Sequence, residues 1–246
     1  AFDFSTIYTK LTAGDLYSVL YNWYLVLAPT AWPCHVLSNH DQSRASSRLC
    51  AGPDSEAKKK LLAALILTQQ GTPFLYYGEE IGMVDGRISR KDLQDPLGKK
   101  YYPFHPGRDR SRTPMQWTDG PGAGFTEGKP WLPINPDYRE RNVKAQEGDP
   151  SSLLAWYKAL IQLRQGEAAL YSGTIEFIQA GLADEVLAYR RRIGEEEVLV
   201  VLNVSGQTRQ NLAGRGGRVL LSTHRKSDSP IEQDTRLAPW ECTVYK

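Results

Sequence analysis

Asn39, His40 and Asp41 follow one another at the end of a short apolar run, "HVLS", residues 35 to 38. A carboxylate beside an imidazole at the end of a strand can hold hydroxyl groups or stabilise positive charge developing on a neighbouring atom. A second apolar run, "PFLYY" at 73 to 77, delivers Gly78, Glu79 and Glu80 in the same way. Further along, "GRDRSR" sets Arg108, Arg110 and Arg112 at alternate positions. Each group also has a plainer reading. Asn and Asp are common in turns and helix caps, and from "NHD" alone that reading has the stronger claim. Glu79 and Glu80 suit the start of a helix or an arginine partner. Alternating arginines more often line a solvated surface than clamp a ligand. His35, His105 and His224 lack metal-ligand spacing, and no phosphate loop, Gly-x-Ser-x-Gly or convincing Cys and His pair is present. Nucleotide and serine-hydrolase chemistry therefore lack support.

The elements that must position these groups alternate between helix and strand. Residues 12 to 28 have a helical period, with Thr12 and Asp15 at capping-box spacing and Leu16, Val19, Leu20, Trp23 and Leu27 on one face. Pro29 and Pro33 close that helix. A strand over 35 to 38 follows, then a helix capped by Asp54 or Ser55 and ending at Gly71, then a buried strand over 73 to 77. Apolar strands separated by helices mark a parallel sheet covered on its faces, so this half of the chain reads as β/α. Residues 85 to 150 are rich in Pro, Gly, Asp and Arg without a period, yet the interspersed aromatics favour an ordered loop. Asp149 as N-cap and Pro150 at the first position predict a further helix to Gly166, with Leu153, Leu154, Tyr157, Leu160 and Ile161 facing inward. Beyond Gly173 come "TIEFI", "EVLAYRR", "EVLVVLNV", "TRQNL", "RVLLS" and "ECTVYK", short strands without helices between them. These predict an antiparallel sandwich and a boundary near residues 167 to 173.

Composition narrows the function classes. Thirty Lys and Arg against 28 Asp and Glu leave a net charge of +2, no electrostatic case for nucleic acid or an acidic membrane. The six Trp and 13 Tyr could serve sugar rings as well as packing. Cys34, Cys50 and Cys242 form neither an even disulfide set nor a zinc motif, which favours a reducing, cytoplasmic location. The start "AFDFSTIYTK" lacks a signal-peptide layout, and no stretch has the length of a membrane span.

"VLSNHDQSR", "GTPFLYYGEEIGM" and "GRDRSRTPMQW", followed by "AGFTEGKPWLPINPDY", resemble consecutive blocks of the α-amylase superfamily, glycoside hydrolase family 13, in its α-glucosidase and oligo-1,6-glucosidase branch. The resemblance runs from Phe2 to the terminal "LAPWECTVYK". It implies α/β plus all-β architecture: "FDFSTIY", "HVLSNHD" and "PFLYYGEE" as strands 6 to 8 of a (β/α)8 TIM barrel over residues 1–168, and an antiparallel β-sandwich over 169–246. It implies that Asp41 is the transition-state-stabilising aspartate, that His40 binds hydroxyls of the sugar, and that Arg108 binds the terminal glucose. Arg44 and Glu79 match motif positions as well, supporting the site from behind.

The same resemblance places the family's nucleophilic aspartate and acid/base glutamate after strands 4 and 5, ahead of Phe2. Retaining hydrolysis needs two such carboxylates about 5 to 5.5 Å apart, and Asp41 with Glu79 is not expected to replace them. The chain is thus expected to be inactive alone, and no cofactor is expected in it; calcium would belong to the preceding segment. Three strands of eight leave two unpaired edges. The expected partners are an α-linked gluco-oligosaccharide and the N-terminal barrel half, on a separate polypeptide or on the same longer chain, or else a second copy. Substrate linkage stays open among maltose, isomaltose, sucrose and trehalose. So does glucosyl transfer, as in trehalose synthase, and a non-catalytic carbohydrate-binding role.

Overall fold

Thr12 has extended backbone, and its hydroxyl accepts the Asp15 N–H at 3.1 Å, so the first helix, α1 (Ala13–Val26), starts where the capping pattern places it. A second acceptor comes from far along the chain: the Glu185 carboxylate takes the Ala13 N–H at 2.8 Å. The helix ends because Leu27 turns extended. In the computed structural model residues 2–28, 31–105 and 107–246 are described, so Pro29, expected to close α1, lies outside them.

Two units divide the chain, one of Ala1–Val36, Pro53–Phe74 and Tyr157–Lys246, the other of Leu37–Gly52 and Leu75–Trp156. In the first unit, β1 (Phe2–Asp3), β2 (Cys34–Val36) and β3 (Thr72–Phe74) form a three-stranded sheet in that order, both pairs parallel. α1 connects the first pair of strands and α3 (Ser55–Thr68) the second, the β/α alternation expected from the sequence. The strands are shorter than their apolar runs suggest. After Asp3 the chain coils into a 3-10 turn at Ser5–Ile7, and β3 stops at Phe74. Nor is β3 buried as expected: Thr72 and Phe74 are exposed, because among the described residues no strand pairs with its outer edge.

α3 begins after Asp54, whose backbone is left-handed at φ 60° and whose carboxylate does not cap the helix. It accepts the Trp240 indole N–H at 3.1 Å instead. At the other end the last carbonyls of α3 are buried and have no further turn to bond. Two buried arginines supply the donors. Arg164 reaches the carbonyls of Leu67, Gln69 and Gly71 at 2.5–2.8 Å, and Arg191 those of Thr68, Gly173 and Thr174 at 2.6–3.2 Å. Neither pairs with a carboxylate among the described residues; the negative end of the helix dipole takes that place. Burial, reinforced by the neighbouring Arg164 charge, pushes the Arg191 guanidinium down to about 10, still charged at neutral pH.

The helix α6 (Leu153–Gly166) carries Arg164 and starts three residues later than Pro150 suggests. The reason is local: Asp149 turns on itself by accepting the Ser151 N–H at 2.8 Å, and Ser152 is the residue whose hydroxyl accepts an N–H of the first turn, that of Ala155, at 3.1 Å. After the short α7 (Ala168–Ser172) the chain becomes all-β. β4 (Thr174–Ile178), β5 (Val186–Ile193), β6 (Glu196–Asn203), β8 (Gly217–Ser222), β9 (Pro230–Ile231) and β11 (Cys242–Tyr245) form a sheet in the order 4-5-6-11-8-9 with every pair antiparallel. β7 (Arg209–Gln210), all that forms of the expected "TRQNL" strand, pairs with β10 (Arg236–Leu237) as a separate antiparallel ribbon. Val186, Ala188, Leu199, Val201, Val219 and Tyr245 of the sheet pack with Ala213 and Leu237 in one core. No helix among the described residues is long and apolar enough to cross a membrane.

Replacing Arg191 with Met keeps its stem and leaves three carbonyls without donors. Urea denaturation is expected to show a loss of about 2–4 kcal/mol; a loss below about 0.5 kcal/mol would mean that water satisfies those carbonyls equally well.

Candidate active site

The second unit contains all three groups singled out in the sequence. Asn39 opens the first as an Asx turn, its side-chain oxygen accepting the Asp41 N–H at 2.9 Å. Ser38 caps the four-residue helix α2 (Ala45–Arg48) by accepting the Ala45 N–H at 2.8 Å. Arg48 reaches back to the carbonyls of Leu37 and Ser43 at 2.6 and 3.0 Å. The segment from Leu37 to Arg48 is thus tied to itself, and His40 and Asp41 stand out from it with 67% and 47% of their side chains exposed. The His40 Nε2 and Asp41 Oδ2 atoms are 3.4 Å apart.

The long segment after Glu80 meets this pair through arginines. Asp109 is buried and accepts the backbone N–H groups of Gln94 and Asp95 at 2.6 and 2.9 Å. Asp95, also buried, caps α4 (Pro96–Tyr101) and accepts from Arg108 three times, from its N–H at 2.7 Å, Nε at 3.2 Å and Nη2 at 3.1 Å. These bonds, above all the one from the Arg108 side chain, hold the Asp95 carboxyl down to about 2 despite its burial. Gly107 makes the close approach possible: it has φ +67°, and a Cβ there would lie 2.8 Å from the Gly98 Cα. Fixed in this way, Arg108 points its remaining nitrogen, Nη1, at Asp41 Oδ1, 3.3 Å away. Arg112, one helical turn on, donates to the same oxygen at 3.0 Å and to the His40 carbonyl at 2.7 Å.

Among the expected site residues, then, the structure brings His40, Asp41 and Arg108 together. Arg44 is placed apart from them in its contacts. It is 1% exposed, donates to the Tyr77 carbonyl at 2.6 Å, and lies over the rings of Tyr76 and Tyr77 at 4.9 and 4.6 Å. Tyr76 and Tyr77 in turn donate to the carbonyls of Ser111 and Thr113 at 3.2 and 2.7 Å, which anchors the arginine segment. Glu79 is buried beside this layer and accepts the Tyr76 N–H at 3.2 Å. Burial pushes its carboxyl up to about 7, against the opposing pull of Ser38, the Tyr76 N–H and the Arg44 charge. Gly78 has to be glycine: at φ +83° a Cβ would stand 2.4 Å from the Met83 sulfur, inside the small core of Ile81, Met83, Met115 and Leu154.

Sequence reasoning missed Asp95 and Asp109, which fix Arg108, and named Arg112 only as one of three alternating arginines, without a role. A signal for Arg112 was present in the alternating arginines of "GRDRSR", although it did not tell which of them meet Asp41. Arg110 between them is exposed and belongs to the solvated surface. Asp41, Ser43, Asp85, Arg108 and Ser111 line a recess of about 30 Å³, room for about one water and far less than a sugar ring. A larger ligand must lie over the open face. No group of three or more His, Cys, Asp or Glu among the described residues is placed to hold a metal ion. An exposed carboxylate bracketed by two guanidinium groups, with an imidazole beside it, can bind adjacent hydroxyls and oppose developing positive charge.

The profile of the alpha-amylase catalytic domain matches residues 3–173. The chain belongs to the α-amylase family. An oligo-1,6-glucosidase of Parageobacillus thermoglucosidasius is 36% identical over 264 residues, covering 95% of this chain and 46% of that protein. A probable alpha-glucosidase of Rhizobium meliloti is 34% identical over 94% of this chain and 42% of its own length. Among solved structures, the trehalulose synthase MutB from Pseudomonas mesoacidophila superposes with a TM-score of 0.84 at 31% identity, covering 96% of this chain and 46% of that one. The alpha-glucosyl transfer enzyme XgtA does so with 0.84 at 30% identity, covering 100% and 46%. The α-amylase-family chain thus spans about half the length of the relatives it matches, part of a TIM-barrel enzyme fold.

The buried Glu79 leads to a pH prediction. Its folded-state value is raised from 4.5 to about 7, so its stabilising contribution is complete below about 4.5 and is lost as pH rises through 7. Glu79→Gln removes that slope. Relative to the parent, the variant is expected to gain stability between about pH 5 and about pH 8 in urea denaturation; a parent-minus-variant difference that stays flat would place the Glu79 titration outside this window.

Proposed function

We propose that this chain forms part of the active site of a retaining, exo-acting α-glucosidase that removes terminal α-linked glucose from short oligosaccharides. The observation that carries the reading is the Asp41 carboxylate, exposed, next to His40, and held by Arg108 and Arg112 at 3.3 and 3.0 Å. On this reading β1, β2 and β3 are strands 6 to 8 of the barrel, residues 1–168 belong to the catalytic domain, and 169–246 form the C-terminal β-sandwich. The names of the relatives support a glucoside substrate, and the 30 Å³ recess supports a site whose remaining walls come from elsewhere.

The chemistry is divided accordingly. A nucleophilic carboxylate and an acid/base carboxyl, about 5 to 5.5 Å apart, are supplied by polypeptide outside this sequence. One attacks the anomeric carbon while the other protonates the leaving oxygen; water then releases glucose from the covalent intermediate with net retention. Asp41 accepts hydrogen bonds from two sugar hydroxyls, which become more acidic as the ring turns into an oxocarbenium ion. The interaction is therefore stronger in the transition state than in the ground state. Arg108 and Arg112 keep the Asp41 carboxylate aimed, and His40 donates to a hydroxyl of the same ring. On this reading, polypeptide outside this sequence covers the free edges of β1 and β3. The likeness to the trehalulose synthase and to XgtA supports a second outcome for the intermediate, capture by a sugar hydroxyl instead of water.

Asp41→Asn in the complete enzyme is expected to lower kcat by about 10²- to 10³-fold while inhibition by glucose changes little. Hydrolysis of maltose and isomaltose, followed by glucose release, measures this. A variant within a few-fold of the parent would take Asp41 out of the proposed role.

A further inference from the structure

The link between Asp41 and α2 takes its shape from a residue outside the quoted motifs. Arg44 is the N-cap of α2 but does not cap it with its own side chain, which lies over the rings of Tyr76 and Tyr77. Asp85 takes that place from 41 positions away. Its Oδ1 accepts the Arg44 N–H at 2.8 Å, its Oδ2 accepts the Ser43 hydroxyl, and its own N–H donates to Ser47 Oγ at 2.7 Å. The arrangement is a capping box divided between two segments, with the reciprocal bonds that ordinarily join an N-cap residue to the third residue of its own helix.

Asp85 is itself held on both sides. The Val84 carbonyl before it accepts Asn135 Nδ2 at 2.8 Å, and the Gly86 N–H after it donates to the Arg110 carbonyl at 2.8 Å. Gly86 leaves no room for a side chain, since a Cβ there would stand 2.4 Å from Thr113 Cγ2 and 2.7 Å from Asn135 Oδ1. Arg110 lies between Arg108 and Arg112, the two residues that meet Asp41. Asp85 therefore stands where the segment carrying Asp41 is joined to the segment carrying its arginines, and Asp41 and Asp85 line one recess. The join works against a load. Arg108 and Arg112 both donate to Oδ1 of Asp41 and so draw that carboxylate toward their own segment, while the bonds from Asp85 to Ser43 and Arg44 hold the backbone behind it.

We infer that Asp85 is a positioning residue for Asp41: by fixing Ser43 and Arg44, and by its place beside Arg110, it sets the spacing between the Asp41 carboxylate and the arginine segment. This rests on the reading of Asp41 as the group that stabilises the transition state of an α-glucosidase. Asp85 touches no substrate in this role and acts only through Asp41. Without it the Asp41 backbone is free to follow the pull of the two guanidinium groups. A shift of a fraction of an ångström there weakens an interaction that matters most in the transition state, so turnover suffers more than binding.

The test is a double-mutant cycle in the complete enzyme with maltose as substrate. Asp85→Asn keeps the size of the side chain and one acceptor oxygen, so either Ser43 or Arg44 loses its partner. In the parent background it is expected to lower kcat about tenfold while KM stays within about twofold. In an Asp41→Asn background the same substitution is expected to cost less than about twofold, because its effect passes through the carboxylate already removed. Ser43→Ala takes away one of the same bonds from the other side and is expected to show the same pattern with a smaller loss; it decides the matter if Asp85→Asn does not fold. Parent-like kcat in both variants would overturn the inference. So would losses of equal size in the two backgrounds, which would make Asp85 a support of the fold alone. An Asp41→Asn enzyme that keeps the parent's activity would instead defeat the functional reading, and this inference with it.

Discussion

Buried main-chain carbonyls at the end of α3 are the constraint on which much of the rest depends. A helix that stops inside a protein leaves carbonyls needing donors, and here they come from the guanidinium groups of Arg164 on α6 and Arg191 on β5. Each arginine is long, carries several donors in one plane and keeps its charge, so one side chain serves three carbonyls. The same ties bind α3, α6 and the six-stranded sheet into one unit. They also set where the chain turns toward β3. Gly71 makes that turn at φ +119°, so close to β2 that a Cβ would stand 2.5 Å from the Pro33 carbonyl oxygen. From β3 the chain continues directly to Tyr76, Tyr77 and Glu79.

How much of this was visible in the sequence follows from the range of the interactions. α1, α3, α6 and the long strands β5 and β6 showed through because apolar periodicity and caps are local signals, read within a few residues. Element ends were less clear. Pro150 and Asp149 looked like a helix start, but Asp149 bonds within its own turn and Ser152 takes the capping place. Asp54 likewise caps nothing in α3, being drawn to Trp240, 186 positions away. Arg164 in "QLRQG" and Arg191 in "YRRRI" resemble solvated charges, since nothing nearby in sequence tells of the carbonyls they meet. The candidate site was half legible. "NHD" and "GRD" stood out through family resemblance, whereas Asp95 and Asp109, which hold Arg108 in place, pair across 13 to 15 positions of irregular chain that carries no period.

The acidic residues of the second unit are sorted by burial. Asp95 and Asp109 are enclosed and spend their oxygens on backbone and guanidinium donors, giving the irregular segment the rigidity that helices and strands give elsewhere. Asp41 alone of these three stands in the open. Arg108 joins the two classes, with its strongest bonds made to the buried partner and its longest to the exposed one, at 3.3 Å. The contact to Asp41 is thus the one Arg108 can give up most easily, while the bonds to Asp95 hold the arginine in place.

The Glu185 carboxylate on the N-terminus of α1 has a consequence for how the molecule is made. Residue 13 waits for residue 185, 172 positions later, before its N–H is capped. Thr68 waits for Tyr189 and Arg191, 121 and 123 positions on, before the end of α3 is closed. During synthesis the β/α segment thus emerges with these two helix ends incomplete, and they are completed only when the last third of this sequence has been made. Folding dominated by such distant contacts is slow, and the interval exposes apolar strands to self-association. The C-terminal sheet therefore acts as a late lock on everything made before it, and shortening the chain from that end disturbs the N-terminal strands as surely as it removes its own.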